Sequence, residues 1–142
     1  MTTNDLHDPW DLPDEMWPEF QATALTRAGV LVSGLVLLAY LIQLTVSFLA
    51  GRESSPAAAV GDVVSLGLSA LLLWRVWARQ AVWAALLAGV FFAAEFAAQV
   101  MSFLSGQPTG GLVIMFATLA GACGLSVYGA LRLARLREEY QA

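Results

Sequence analysis

Four long apolar segments, few charged residues and an uneven distribution of arginine predict an all-α integral membrane protein, a four-transmembrane-helix bundle. Of the 142 residues, 58% are hydrophobic and 13% are charged, whereas soluble domains average about 45–50% and about 25%. Each segment reaches the roughly 20 residues that a helix needs to cross a bilayer. Helices are favoured over strands because the sequence lacks the alternating pattern of a transmembrane barrel.

The first predicted span covers Ala28–Ala50 and contains no charged residue. Its helix is expected to begin before the apolar run, because Pro18 and Glu19 suit a first helical turn. Proline there lacks only an amide hydrogen that has no helical partner, and a carboxylate is stabilised at the positive end of the helix dipole.

The second and third predicted spans cover Ala57–Trp77 and Ala81–Ser105, with Pro56 suited to the first turn of the second span. The residues that join these spans include neither glycine nor proline. One continuous helix over both spans would be roughly 73 Å long, however, and about half of its apolar surface would lie in water. We therefore expect a tight turn at Arg79 and Gln80.

The fourth predicted span covers Gly111–Leu131 and follows the sequence Gly-Gln-Pro-Thr-Gly-Gly, the clearest helix breaker in the chain. Beyond the span, the helix is expected to continue to Tyr140 as a short basic extension. Arg132 and Arg135 lie one turn apart there and can meet lipid phosphates.

The arginines predict the orientation of the four spans. With four crossings, both termini and the turn between the second and third spans share one side of the membrane. That side carries six arginines and the other side carries one, Arg52. Because positive charge accumulates in cytoplasmic loops, we expect both termini in the cytoplasm and the protein in the cytoplasmic (inner) membrane.

Several kinds of chemistry are disfavoured by the composition. The single cysteine, Cys123, and the single histidine, His7, leave no disulfide, no cysteine-based zinc site and no histidine-ligated metal within the membrane. The chain also lacks nucleophile and metalloprotease signatures and any basic patch interleaved with aromatics. We therefore predict no enzymatic activity, cofactor, metal or nucleic-acid partner.

Polar residues within the spans are the candidate proton- or ion-binding groups. At a rise of 1.5 Å per residue, Gln43, Asp62 and Gln99 lie roughly 9–10 Å below the outer boundary, and Glu95 lies roughly 15 Å below it. Thr118 falls at a similar depth. All four helices are thus predicted to contribute a polar group to one layer in the outer half of the membrane.

Glu95 admits three interpretations, because an ionisable residue in a span is costly and is usually functional or paired. It can form hydrogen bonds with Gln99 or a neighbouring helix and so stabilise the bundle. It can pair with a cation or polar group of another subunit. Alternatively, Glu95 and Asp62 can bind a proton or a cationic substrate during transport.

Small residues at intervals of four are the predicted helix-packing positions, because they let helix backbones approach closely. Two interpretations remain open: packing within the bundle, or contact with another subunit. The candidates are Gly61, Ser65 and Ser69 in the second span, Ala94 and Ala98 in the third, and Ala117, Ala120, Gly121 and Gly124 in the fourth.

Residues 1–17 are predicted to form an acidic cytoplasmic tail ahead of the membrane domain, residues 18–142. Its prolines prevent a regular amphipathic helix before residue 18. The segment is either a loose tail whose aromatics dip into the interface or a docking segment for a partner. The candidate docking residues are Trp10, Leu12, Met16, Trp17 and Phe20.

Three functions are compatible with these features. The first is a non-enzymatic accessory or scaffold subunit that contacts other membrane subunits through its helices and tail within the lipid bilayer. The second is a small oligomeric transporter or channel, coupled to protons or cations, that uses Glu95 and Asp62. The third is a phage-type membrane-perturbing or immunity protein.

Overall fold

Four long helices make up the part of the chain that the computed structural model describes, namely residues 16–51 and 55–142 apart from the side chain of Ala58. The helices are α1 (Trp17–Leu49), α2 (Pro56–Arg79), α3 (Val82–Leu104) and α4 (Gly110–Gln141). Each is long and apolar enough to cross a membrane. Within the described residues, the prediction of an all-α fold with four candidate spans is confirmed.

Helices α1 and α4 are longer than their apolar runs. Helix α1 begins at Trp17 with a proline in its first turn, as Pro18 predicted, and α4 continues to Gln141. Their 33 and 32 residues correspond to roughly 50 Å each, whereas the hydrocarbon core of a bilayer is roughly 30 Å thick. Both helices are therefore long enough to extend into the aqueous phase.

The turn between α2 and α3 consists of two residues, Gln80 and Ala81. Gln80 has a φ of 48°, and Ala81 is extended with a ψ of 111°. These two conformations reverse the chain without glycine or proline, so the predicted break is confirmed. Arg137 near the end of α4 donates a hydrogen bond of 3.1 Å to Oε1 of Gln80, which brings the end of α4 to this turn.

The helices are arranged in the cyclic order α1, α4, α3, α2. The α1–α4 and α3–α4 interfaces are extensive, whereas α2 contacts α1 and α3 over smaller surfaces. The start of α1, the end of α4 and the α2–α3 turn lie at the same end of the bundle, which we call the arginine end. The described arginines are all nearer to this end: Arg27, Arg75, Arg79, Arg132, Arg135 and Arg137.

Helices α1 and α4 approach most closely along the α1–α4 seam, which comprises two sets of three small residues. The sets share one spacing, an alanine, a hydroxyl residue four positions later and a glycine three positions after that. All six residues are buried: Ala22, Thr26 and Gly29 in α1, and Ala122, Ser126 and Gly129 in α4.

The contacts across the seam are reciprocal. A Cβ atom on Gly29 would collide with Oγ of Ser126 and the carbonyl oxygen of Ala122, and one on Gly129 would collide with the matching atoms of Thr26 and Ala22. The Ser126 hydroxyl donates a hydrogen bond of 3.1 Å to the carbonyl oxygen of Thr26. Two similar motifs thus pack antiparallel about a local two-fold axis.

The apolar core occupies the part of the bundle nearer the arginine end. Its largest side chain that is almost fully buried is Phe92 of α3, and α2 and α4 contribute Val76 and Leu119. Small residues of α3, Ala84, Ala85 and Ala88, are buried in the same core. All four helices contribute buried residues to it.

The predicted small-residue ladders lie mostly on the outside of the bundle. Ser69 is buried and Ser65 is half-buried. A Cβ atom on Gly61, Gly121 or Gly124 would meet no atom within 4 Å. The exposed ladder residues also include Ala94, Ala98 and Ala117, whereas Ala120 is half-buried. The exposed members do not form the contacts between helices, which other small residues make; their contact with another subunit stays a prediction.

Candidate polar site inside the bundle

A polar cavity of about 90 Å³ lies among the four helices. Tyr40 of α1, together with Phe116 of α4, closes it on two sides, and α2 and α3 supply most of its polar groups. Its polar lining consists of Tyr40, Asp62, Ser65, Ser69, Glu95 and Gln99. Three of the five predicted polar residues, Asp62, Glu95 and Gln99, are therefore brought together.

Helical periodicity explains how two helices supply these groups. On α2, Asp62, Ser65 and Ser69 are separated by three and four residues and share one face. On α3, Glu95 and Gln99 are four residues apart and share another. The two faces meet at the cavity, so a carboxylate is contributed from each side.

Asp62 and Glu95 differ in their partners. The Tyr40 hydroxyl donates a long hydrogen bond of 3.5 Å to Oδ1 of Asp62. Glu95 is half-buried and has no hydrogen bond or ion pair with any described residue. No arginine is among the residues that line the cavity, so the site contains two acids and no base from the described part of the chain.

Gln43 and Thr118 lie elsewhere. Both line a separate cleft between α1 and α4, and the Thr118 hydroxyl donates a hydrogen bond of 2.9 Å to the carbonyl oxygen of Ile114 in its own helix. The depth estimate placed them in the same layer as the carboxylates, but depth along a helix does not specify the direction in which a side chain points. Any role for them in ion binding stays a prediction.

Tyr40 is a site residue that the sequence analysis missed. It lies one turn before Gln43 on α1 and contributes the polar group of α1 to the site through its contact with Asp62, whereas the sequence analysis had selected Gln43 as the polar group of this helix. A tyrosine well inside a span is itself a signal, because tyrosines of membrane proteins concentrate at the interface and a buried hydroxyl normally has a hydrogen-bond partner.

The cavity lies beside a cleft and next to the apolar core. Asp62 lines both the cavity and a cleft of about 400 Å³ between the parts of α1 and α2 that are remote from the arginine end. The buried side chains of Leu72, Val76 and Phe92 lie on the side of the cavity that faces the arginine end. The apolar core therefore separates the site from the arginine end.

The chemistry of this site is that of a small polar chamber with two carboxylates. A volume of about 90 Å³ holds a few water molecules, and carboxylate, hydroxyl and amide oxygens can accept a proton or coordinate a monovalent cation. No family model, curated protein or solved structure matches this chain. Among the described residues, no three potential metal-ligating side chains of the His, Cys, Asp and Glu types form a group.

The predicted docking residues divide between described and undescribed parts of the chain. Trp10 and Leu12 lie outside the described residues. Met16, Trp17 and Phe20 are exposed at the start of α1, where the rings of Trp17 and Phe20 pack edge to face with centroids 5.9 Å apart. They form an apolar surface at the arginine end.

Proposed function

We propose that this protein is a small membrane transporter or channel that binds a proton or a monovalent cation at Asp62 and Glu95. The observation that carries the proposal is the cavity in which both carboxylates meet, together with the absence of a basic residue from its described lining. Carboxylates within a membrane domain are costly to bury and commonly mark ion or proton pathways. The proposal includes no catalytic step.

The size of the cavity supports a small cargo. Sites for organic ligands usually measure about 300–1,000 Å³, whereas this cavity measures about 90 Å³. A proton, carried by the carboxylates and water, or a partly hydrated monovalent cation fits this space. An organic cation would have to bind elsewhere, for example in the clefts that face the lipid.

In the proposed orientation the protein lies in the cytoplasmic (inner) membrane. The arginine end and both termini are on the cytoplasmic side. The positive-inside rule supports this choice, because the described arginines are all nearer to one end. In this orientation the cavity lies in the outer half of the membrane and the apolar core separates it from the cytoplasm. Transport then requires the core around Val76 and Phe92 to open.

Reconstituted vesicles provide the test of this function. We expect purified protein in liposomes to dissipate a pH gradient or a sodium or potassium gradient faster than empty liposomes do, as measured with pH- and cation-sensitive dyes. Comparing the three gradients identifies the cargo. Folded protein, verified by circular dichroism, that conducts none of the three ions would refute the proposal.

A second candidate function is that of an accessory subunit of a larger membrane complex. Two observations favour it: the exposed apolar surface of Met16, Trp17 and Phe20, and the outward position of small residues such as Gly121 and Gly124. Small residues exposed to lipid would allow close approach of a helix from another subunit.

Removal of residues 1–17 tests the accessory function. If the tail and the start of α1 dock a partner, the truncated protein should lose most of a larger membrane protein that co-purifies with the full chain in mild detergent. Trp17→Ala should weaken the same association, whereas Tyr140→Ala, at an exposed aromatic residue of the same end, should not. Equal recovery of the partner from all these variants would contradict the docking role.

A further inference from the structure

An apolar groove between α1 and α2, the α1–α2 groove, faces the membrane. It measures about 580 Å³, and all of its lining residues are apolar. On α1 the lining extends from Val30 to Leu41, and on α2 the lining reaches Trp74 and Trp77 at the arginine end.

The groove matches one leaflet of a bilayer in length. The lining of α1 from Val30 to Leu41 corresponds to roughly 16 Å of helix, and half of a hydrocarbon core is roughly 15 Å. Tryptophans concentrate at the level of the lipid headgroups, so Trp74 and Trp77 place the end of the groove at that level. The groove therefore extends from the headgroups toward the bilayer centre.

The side chain of Arg27 lies at the headgroup end of the groove. The guanidinium of Arg27 is 5.3 Å from the centre of the Trp77 ring, and Trp77 lines the groove. Arg27 is exposed, and no carboxylate of the described residues forms an ion pair with it. Guanidinium groups bind phosphate oxygens through two parallel hydrogen bonds, so this position suits an anionic headgroup.

The shape and charge of the groove favour a lipid as its occupant. A single acyl chain is thin enough to lie between α1 and α2 and is as apolar as the lining. The guanidinium of Arg27 beside Trp77 matches the anionic headgroup that such a chain carries at the membrane surface.

We propose that the α1–α2 groove is a binding site for an anionic phospholipid, with one acyl chain between α1 and α2 and the phosphate group on Arg27. The lipid would come from the leaflet at the arginine end, which is the anionic cytoplasmic leaflet in the proposed orientation. Binding would also complete the small interface by which α2 is attached to α1.

Native mass spectrometry of the intact chain tests the headgroup. Protein purified in mild detergent is mixed with phosphatidylglycerol or phosphatidylcholine of the same acyl chains. We expect phosphatidylglycerol to be retained about fivefold more strongly, since a basic residue near the headgroup contributes about 1 kcal/mol. Arg27→Gln should remove this preference and Arg27→Lys should keep most of it, whereas Arg137→Gln, at an exposed arginine whose guanidinium donates a hydrogen bond to Gln80, should leave it unchanged.

Bulky substitutions that fill the α1–α2 groove test whether the acyl chain binds there. Gly34 lines the groove, and a Cβ atom there would meet nothing within 4 Å, so Gly34→Phe should fold and displace both lipids. Gly121→Phe, at a glycine with equal free space on α4, is the matched control, and Leu38→Trp is a second variant that fills the groove.

Three results would overturn the proposal. One is equal retention of the two lipids by the wild-type protein. Another is unchanged retention in both groove-filling variants. The third is a dimer that Gly34→Phe dissociates, because a second copy of the chain would then be the occupant of the groove.

Discussion

Gly129→Ala is expected to destabilise the protein by about 2–3 kcal/mol, the upper part of the usual range for overpacking. The added Cβ atom would lie 2.7 Å from the carbonyl oxygen of Ala22 and 2.8 Å from the backbone nitrogen of Thr26. Both contacts are with the backbone of α1, which cannot rotate away as the end of a side chain can. Relief requires α1 and α4 to separate along the whole seam.

A matched control is available on the same helix. Gly124→Ala adds the same atom to α4, but in open space. Because alanine favours the helix over glycine by up to about 1 kcal/mol, this variant should be unchanged or slightly more stable. Unfolding of each variant by dodecyl sulfate in mixed micelles, followed by circular dichroism, measures the difference. Equal midpoints for the two variants would contradict the α1–α4 seam.

The sequence analysis predicted the number of helices but not the faces on which they pack. In a soluble protein the buried face of a helix is marked by apolar residues opposite polar ones. Lipid and the interior of a bundle are equally apolar, so small residues occur both in the exposed ladder at Gly121 and Gly124 and in the buried set at Ser126 and Gly129. Intervals of four residues alone could not distinguish them.

The start of α1 shows a second reason why the sequence analysis missed packing residues. The first span was defined by its uncharged run from Ala28, so Ala22 and Thr26 were left outside the search for packing residues. Pro18 and Glu19 nevertheless predicted an early helix start, and α1 begins at Trp17. The capping signals located the start of α1 correctly, whereas hydropathy located only the part of the helix that is apolar enough for the membrane core.

The sequence predicted the depth at which the polar residues of the site lie, but not the direction in which their side chains point. Counting residues from the ends of the spans placed Asp62, Glu95 and Gln99 in one layer, and these three line one cavity. The same count selected Gln43 instead of Tyr40 on α1, one turn away. Rotation of a helix about its axis depends on its tertiary contacts, here the α1–α4 seam, and a residue count contains no information about them.

Glu95→Gln is expected to reduce ion flux in liposomes to the rate of empty vesicles if the proposed function is correct. Glutamine has nearly the same shape as glutamate but cannot take up and release a proton or provide a negative charge. Asp62→Asn should reduce flux as well, because the hydrogen bond from Tyr40 can persist with an asparagine while the charge is lost. Glu139→Gln, at an exposed acid near the end of α4, should conduct like the wild type.

The stability of the Glu95→Gln variant separates transport from a structural role. Glu95 has no hydrogen bond or ion pair with a described residue, so its replacement by the neutral glutamine, which avoids the cost of burying a charge, should not lower the free energy of unfolding. A carboxyl group that locked the bundle would instead cost about 1–3 kcal/mol on replacement, the usual cost of leaving a buried partner unsatisfied. Lost flux with unchanged stability therefore assigns Glu95 to transport, whereas unchanged flux with lost stability assigns it to the architecture of an accessory subunit.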